Sequence, residues 1–197
     1  MSLFIESIRL NDGSIERLIW HQQRMEETIQ QLFHQPAPRL QPILSGASLP
    51  IKGLFKIRLL YNTSIQKMEV LPYQIPVIET FQAVYDNTIN YPWKYSDRTA
   101  INKLFLLRRE ADDILIIKNG LVTDTRYCNI IFHDGKQWHT PLQPLLKGTM
   151  RQYLLSCGVI QATEIGVQDL QKFKKAKLIN ALMGFDGPEI PISRIRL

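Results

Sequence analysis

Cysteine is almost absent from this chain of 197 residues, which has only Cys128 and Cys157. Two thiols so far apart exclude a disulfide framework and a cysteine-based metal site, and both read as buried thiols in a reducing compartment, one in a strand and one in a helix. The histidines, His21, His34, His133 and His139, show no paired ligand spacing, so no metal is expected. Long apolar runs are missing, which excludes a membrane span. The opening Met1-Ser-Leu-Phe-Ile-Glu-Ser7 carries an early carboxylate and no basic leader. The expectation is a soluble, cytoplasmic protein with no membrane partner. Also absent are a Gly-x-Ser-x-Gly elbow, a P-loop and a Gly-x-Gly-x-x-Gly turn after a strand. No internal repeat or low-complexity tract occurs.

What is present is a hydrophobic content of 45%, enough for a substantial core. The formal charge is +6 with a pI near 9.4. The densest basic cluster, Lys172-Phe-Lys-Lys-Ala-Lys177, follows a helical segment and precedes a strand. It reads as a solvated helix end, where cations suit the dipole, rather than as a nucleic-acid surface. A mild positive excess also suits an anionic cofactor and an anionic small-molecule substrate.

Periodicity predicts a strand over residues 4–10, a turn at Asn11-Asp-Gly13 and a helix over 18–33. Residues 35–50 are Pro-rich and read as a connection with little regular structure. Strands at 54–61 and 66–72 form a hairpin across Asn62-Thr-Ser64, and 81–85 is another strand. Beyond them come a helix over 98–110 and strands at 113–118, 121–124 and 129–133, with hairpin turns at Asn119-Gly120 and Asp134-Gly135. A strand at 137–140, a helix at 148–157, a strand at 160–165, a short helix near 167–173 and a strand at 177–182 complete the chain. Hairpins mixed with isolated helices indicate α+β. The expected division is a small N-terminal α/β domain over residues 1–86 and a second domain over 87–197.

Three features in order could share one chemistry. Lys94 lies in the aromatic Tyr91-Pro-Trp-Lys-Tyr-Ser-Asp-Arg98. Asp124 lies in Gly120-Leu-Val-Thr-Asp-Thr-Arg-Tyr-Cys-Asn-Ile-Ile-Phe132, and Gly148 opens a helix in Leu145-Leu-Lys-Gly-Thr-Met-Arg151. Singly, each has an ordinary reading: a loop lysine, a strand-end carboxylate and a helix start. His21 beside Arg24 reads as a solvated helix-surface pair. Together, an amine able to condense with an aldehyde, a carboxylate for a ring nitrogen and a helix N-terminus for a phosphate are what pyridoxal 5'-phosphate requires. Lys103 and Lys147 are the rival amines.

With these motifs the chain resembles the fold-type IV pyridoxal-phosphate enzymes, which include branched-chain and D-amino-acid aminotransferases and 4-amino-4-deoxychorismate lyase. Lys94-Tyr-Ser-Asp-Arg98 is similar to the Lys-x-x-Asn-Arg element of the lyases. Val122-Thr-Asp-Thr-Arg-Tyr-Cys-Asn-Ile130 is similar to Val-Thr-Glu-x-x-x-x-Asn-Leu/Ile, and Leu145–Arg151 resembles the Leu-x-Gly-Ile-x-Arg phosphate turn. Phe4-Ile-Glu-Ser-Ile-Arg9 and His21-Gln-Gln-Arg-Met25 resemble Phe-Glu-Thr-Ile-Arg and His-x-x-Arg-Leu. Asn180-Ala-Leu-Met183 is similar to the Asn-Ala-Leu-Met of the lyases. The resemblance implies a two-domain, D-amino-acid-aminotransferase-like α+β architecture. It implies Lys94 as the catalytic amine and Arg24, Asp124, Asn129, Gly148, Thr149 and Met150 as cofactor-binding residues. Asn180 and Ala181 would border the substrate, and the chain would form a homodimer. It also implies a lyase that releases pyruvate and p-aminobenzoate in folate biosynthesis, with an amino-acid aminotransferase and a pyridoxal-phosphate-binding protein without turnover as alternatives. Three departures are visible. The chain begins at the Phe-Glu-Thr element, so the N-terminal domain is expected to be short. The acid is Asp124 where the family has Glu. The Asn62-Thr-Ser64 hairpin has no match for the longer loop that brings an arginine to the substrate carboxylate.

Overall fold

A computed structural model describes residues 2–197. The chain divides into two units: the first runs to Ile75 and takes back Trp93–Asp97, and the second comprises Pro76–Pro92 and Arg98–Leu197. The boundary expected at residue 86 is therefore corrected. Phe81–Tyr85 belongs to the second unit because its backbone pairs in parallel with Asp113–Lys118.

In the first unit, β1 (Phe4–Asn11), β2 (Ser14–Ile15), α1 (Leu18–Phe33), α2 (Leu40–Ser45), β3 (Leu54–Tyr61) and β4 (Ile65–Pro72) follow in order. The strands form an antiparallel sheet in the order β2-β1-β3-β4. Alternation puts Phe4, Ile8 and Leu10 of β1 on one buried face, where Met25 and Ile29 of α1 cover them with Ile57 and Leu59 of β3. Each such side chain contributes about 1.5–3 kcal/mol by leaving water. α1 ends at His34, in the left-handed region with φ 55, whose N–H donates to Gln30 O at 3.1 Å. The stretch read as irregular holds α2. Leu40 and Leu44 give it a buried face, and Gln22 Oε1 accepts the Leu40 N–H at 2.7 Å.

The second unit contains β5 (Phe81–Tyr85), α3 (Thr99–Phe105), β6 (Asp113–Lys118), β7 (Leu121–Thr125), β8 (Asn129–His133), β9 (Trp138–Pro141), α4 (Thr149–Ser156), β10 (Ile160–Thr163), β11 (Lys175–Ile179), β12 (Glu189–Pro191) and β13 (Ile195–Arg196). Its sheet has the order β10-β9-β8-β7-β6-β5-β13, with β11 pairing both β8 and β12. Hairpins join β6 to β9, while the β5–β6, β5–β13 and β9–β10 pairs are parallel. Asn119 (φ 53) and Gly120 (φ 76) make the two-residue turn with the positive dihedrals such hairpins need.

Several expected boundaries shift. The helix over 98–110 ends at Phe105 and tightens into a 3-10 turn, Leu106–Arg108, because Arg109 adopts a positive φ of 55 as the chain turns toward β6. The last long strand starts at Lys175 and stops at Ile179, before a turn that begins at Asn180. Lys177 is thus a buried strand residue paired with Glu189 at 3.0 Å, not part of a solvated helix end. Cys128 is buried in the bend before β8, whereas Cys157, expected to be buried, is exposed at the C-terminal cap of α4, where the helix ends. Among the described residues no helix is long and apolar enough to cross a membrane.

Candidate active site

In the first unit, β1 holds the segment that carries Lys94. Ile5 N–H donates to Lys94 O at 2.9 Å, Ser96 N–H donates to Leu3 O at 2.8 Å, and Phe4 pairs with Tyr95. The Phe4 and Tyr95 rings lie 5.1 Å apart, and Trp93 packs on the same core. The half-buried Lys94 therefore sits between two aromatic anchors, while the rival lysines Lys103 and Lys147 are exposed.

Glu6 also projects from β1, on the buried face shared by Phe4 and Ile8, and is 0% exposed. Arg24 Nε donates to Glu6 Oε1 at 2.9 Å and Arg24 Nη2 to Oε2 at 2.5 Å, while His21 Nδ1 meets Oε2 at 2.5 Å. His21 and Arg24, three residues apart on α1, present one face to the strand. Reading them as a solvated pair is therefore corrected: His21 is buried and a carboxylate sits between them. Burial alone would raise the Glu6 pKa, but the Arg24 charge and the His21 hydrogen bond bring it down to about 2. Burial lowers the His21 pKa, against the pull of Glu6 and with help from Arg24 and Lys94. Glu6 is thus a carboxylate, so His21 Nδ1 must be the donor. The expected phosphate ligand Arg24 has one edge of its guanidinium on Glu6.

In the second unit, Asp124 of β7 is buried opposite Asn129 of β8. Asn129 Nδ2 donates to Asp124 Oδ1 at 2.7 Å and to Leu146 O at 2.9 Å, and Leu146 N–H donates to Asp124 Oδ2 at 2.9 Å. Asn129 thereby ties the 145–148 turn to the carboxylate. Burial pushes the Asp124 pKa up to about 6, against the Leu146 and Asn129 bonds and the more distant Arg151 charge. Arg151 itself is spent on Pro141 O at 2.8 Å, Gln152 Oε1 at 2.9 Å and Thr140 Oγ1 at 3.3 Å.

Gly148 caps α4 in an extended conformation with no side-chain capping bond, as expected for a helix opening there. A Cβ at Gly148 would lie 2.0 Å from Asn129 Oδ1, so only glycine allows Asn129 its place. The ladder of α4 begins with Gln152 N–H to Gly148 O at 3.0 Å. The N–H groups of Thr149, Met150 and Arg151 precede it, on residues that are all buried. A helix start buried in this way calls for an acceptor from outside the helix. Asn180 is committed locally: its Oδ1 accepts the Leu182 and Met183 N–H groups, both at 2.9 Å, and its Nδ2 donates to Cys128 Sγ at 3.2 Å. Ala181 follows it in that turn. Among the described residues no group of His, Cys, Asp and Glu could hold a metal ion.

A sequence model of the family described as Amino-transferase class IV matches residues 97–190. An uncharacterized protein of Haemophilus influenzae is 38% identical over 182 residues, 91% of this chain and 97% of its own length. A crystal structure from Haemophilus somnus 129PT, of a protein provisionally named 4-amino-4-deoxychorismate lyase, is 34% identical with a TM-score of 0.86, covering 93% of this chain and 98% of that one. The chain belongs to the class IV aminotransferase family. It is an enzyme of that class, an aminotransferase or a lyase. A more distant member of the same fold, an aminotransferase from Brucella abortus bound to the cofactor PLP, is 17% identical with a TM-score of 0.73 over 98% of this chain and 81% of that one. The class IV segment contains Asp124, Asn129 and Gly148, whereas Arg24 and Lys94 precede it. Glu6 is the residue to which sequence reasoning gave no role. Its signal was an acid on the apolar face of a strand, next in chain order to a His-x-x-Arg helix.

Proposed function

We propose that this class IV enzyme uses pyridoxal 5'-phosphate and acts as a 4-amino-4-deoxychorismate lyase, releasing pyruvate and leaving p-aminobenzoate. The observation that carries the cofactor reading is Asp124. It is a buried carboxylate held by neutral donors alone and pushed up to about 6, which lacks a cation in contact, and a protonated pyridine nitrogen is such a cation. The buried N-terminus of α4 lacks an anion in the same way, and a phosphate supplies it. The donor set therefore fits the cofactor.

Bound there, pyridoxal phosphate would supply an aldehyde and an electron-accepting ring. Asp124 keeps a proton on the ring nitrogen, and Asn129 keeps Asp124 aimed by holding both it and the 145–148 turn. The Thr149 and Met150 N–H groups, the Thr149 hydroxyl and Arg24 hold the phosphate, with Gly148 giving the turn its close approach to Asn129. Lys94 supplies the amine, and its Nζ moves a proton at the substrate α carbon. Trp93 and Tyr95 shield that amine from water. Asn180 borders the substrate by ordering the turn that carries Ala181, and the active form is a homodimer.

Support for the lyase comes from the Lys-x-x-Asp-Arg and Asn-Ala-Leu-Met elements and from the lyase name of the Haemophilus somnus relative. The test is to load purified protein with pyridoxal phosphate and supply aminodeoxychorismate. Formation of p-aminobenzoate with stoichiometric pyruvate supports the lyase. Keto-acid formation from branched-chain or D-amino acids, without p-aminobenzoate, replaces it with an aminotransferase. Neither product, despite bound cofactor, means a binding protein without turnover.

A further inference from the structure

The first unit spends a fully buried carboxylate on one edge of an arginine. A buried ion pair is weak evidence for stability, since an apolar pair of the same shape does as well or better. Its distinct effect is orientation. The guanidinium is planar with five N–H groups in a fixed fork, so fixing the Nε and Nη2 edge on Glu6 also fixes the direction of the opposite edge. The three groups are not equally enclosed: the side chains of Glu6 and His21 are 0% and 1% exposed, while that of Arg24 is 12% exposed. The cation is thus the member that reaches accessible surface. Glu6 cannot swing away, because His21 Nδ1 holds Oε2 at 2.5 Å and its backbone is paired opposite Leu59 of β3. Burial keeps His21 neutral, so the cluster as a whole carries no excess charge and Arg24 remains its single cation.

We propose that Glu6 is a positioning residue that orients Arg24 to receive a phosphate monoester, with His21 locking the Glu6 carboxylate from the other side. This rests on the reading that the chain binds pyridoxal phosphate. Glu6 does not touch the phosphate. It acts by holding one edge of the Arg24 fork, so that the other forms a directed, charge-assisted contact rather than a diffuse one.

The test compares pyridoxal phosphate with pyridoxal, which has the same aldehyde and ring but no phosphate. Dissociation constants for both are measured spectrophotometrically on the parent, Glu6→Gln and Arg24→Lys, with circular dichroism and thermal melting to check the fold. Glu6→Gln is expected to weaken pyridoxal phosphate by about tenfold or more, the scale of a lost charge-assisted contact, and pyridoxal by less than about twofold. Arg24→Lys keeps the charge but loses the fork, and is expected to show the same phosphate-selective loss. If Glu6→Gln does not fold, Glu6→Asp replaces it: the charge stays while the reach shortens by one methylene, and a selective loss is again expected. Equal weakening of both ligands in a folded variant, or unchanged phosphate-ester affinity, overturns the positioning role while leaving the cofactor reading intact. A parent that binds neither compound removes the cofactor reading itself, and the positioning role with it.

Discussion

Glu6 in the first unit and Asp124 in the second are both buried carboxylates on strands, and their surroundings drive them in opposite directions. Glu6 has an arginine fork and an imidazole N–H, and its pKa falls to about 2. Asp124 has an amide and a backbone N–H, and its pKa rises to about 6. Desolvation penalises both; what separates them is a cation in contact. Glu6 is satisfied by the protein, so it acts as a fixed part. Asp124 is charge-deficient until something cationic meets it, which is the property of a binding residue. Equal burial therefore does not mean equal function.

The largest expected effect breaks the satisfied side of this comparison. Glu6→Ala leaves Arg24 without its buried counter-charge and is expected to lower unfolding free energy by about 3–5 kcal/mol, read by urea titration of the cofactor-free protein. Asp124→Asn is expected to cost much less in the cofactor-free protein at pH 7: it removes an uncompensated charge, which offsets the one buried N–H, of Asn129 or Leu146, that would face the new NH2 instead of an oxygen. If both substitutions cost the same, the contrast fails.

Asp124→Asn should instead be felt in turnover. An amide cannot hold the ring proton by charge, so activity on the best substrate is expected to fall by about 3 kcal/mol of transition-state stabilisation, on the order of a hundredfold or more. Cofactor affinity should change far less, because the phosphate contacts remain. Steady-state kinetics beside a cofactor titration separates the two effects. Next comes Gly148→Ala, where the added Cβ would sit 2.0 Å from Asn129 Oδ1. The φ of −65 at this position is open to alanine, so the whole cost is the displaced Asn129, about 1–3 kcal/mol in stability together with weaker cofactor binding.

The smallest effect is the pH signature. The folded pKa of Asp124, about 6, lies above its ordinary 3.8. Its contribution to stability is therefore full below the ordinary value and is lost as pH rises through about 6. Glu6 is depressed from 4.5 to about 2, so its contribution is present above 4.5 and is lost as pH falls toward 2. Between pH 7 and pH 5 only Asp124 of this pair changes. The stability difference between parent and Asp124→Asn is expected to move by about 1 kcal/mol in favour of the parent at pH 5. No change over that interval would mean that Asp124 is better paired than its contacts indicate.

Much of the site was legible because its cues are local. Apolar periodicity set α1 and β1, Asn119-Gly120 set a hairpin, and Gly148 opened a helix. The buried cluster in the first unit was not legible, because helical spacing placed His21 and Arg24 on one face without saying what that face meets. Glu6 supplied the answer only once β1 and α1 were packed, fifteen residues of sequence away from His21. Asn180 falls inside the strand expected over 177–182, but an asparagine that can accept two backbone N–H groups ends a strand in a turn. The unit boundary was missed because β5 has the same strand signature whichever sheet it joins. Pairing with β6, a long-range event, decides it.

The most direct measurement is borohydride reduction of the protein loaded with pyridoxal phosphate, followed by peptide mapping. A single pyridoxyl label on Lys94, absent from a folded Lys94→Ala variant, is the expected result. A label on Lys103 or Lys147, or no yellow complex to reduce, contradicts the assignment of Lys94 and of the cofactor site built around it.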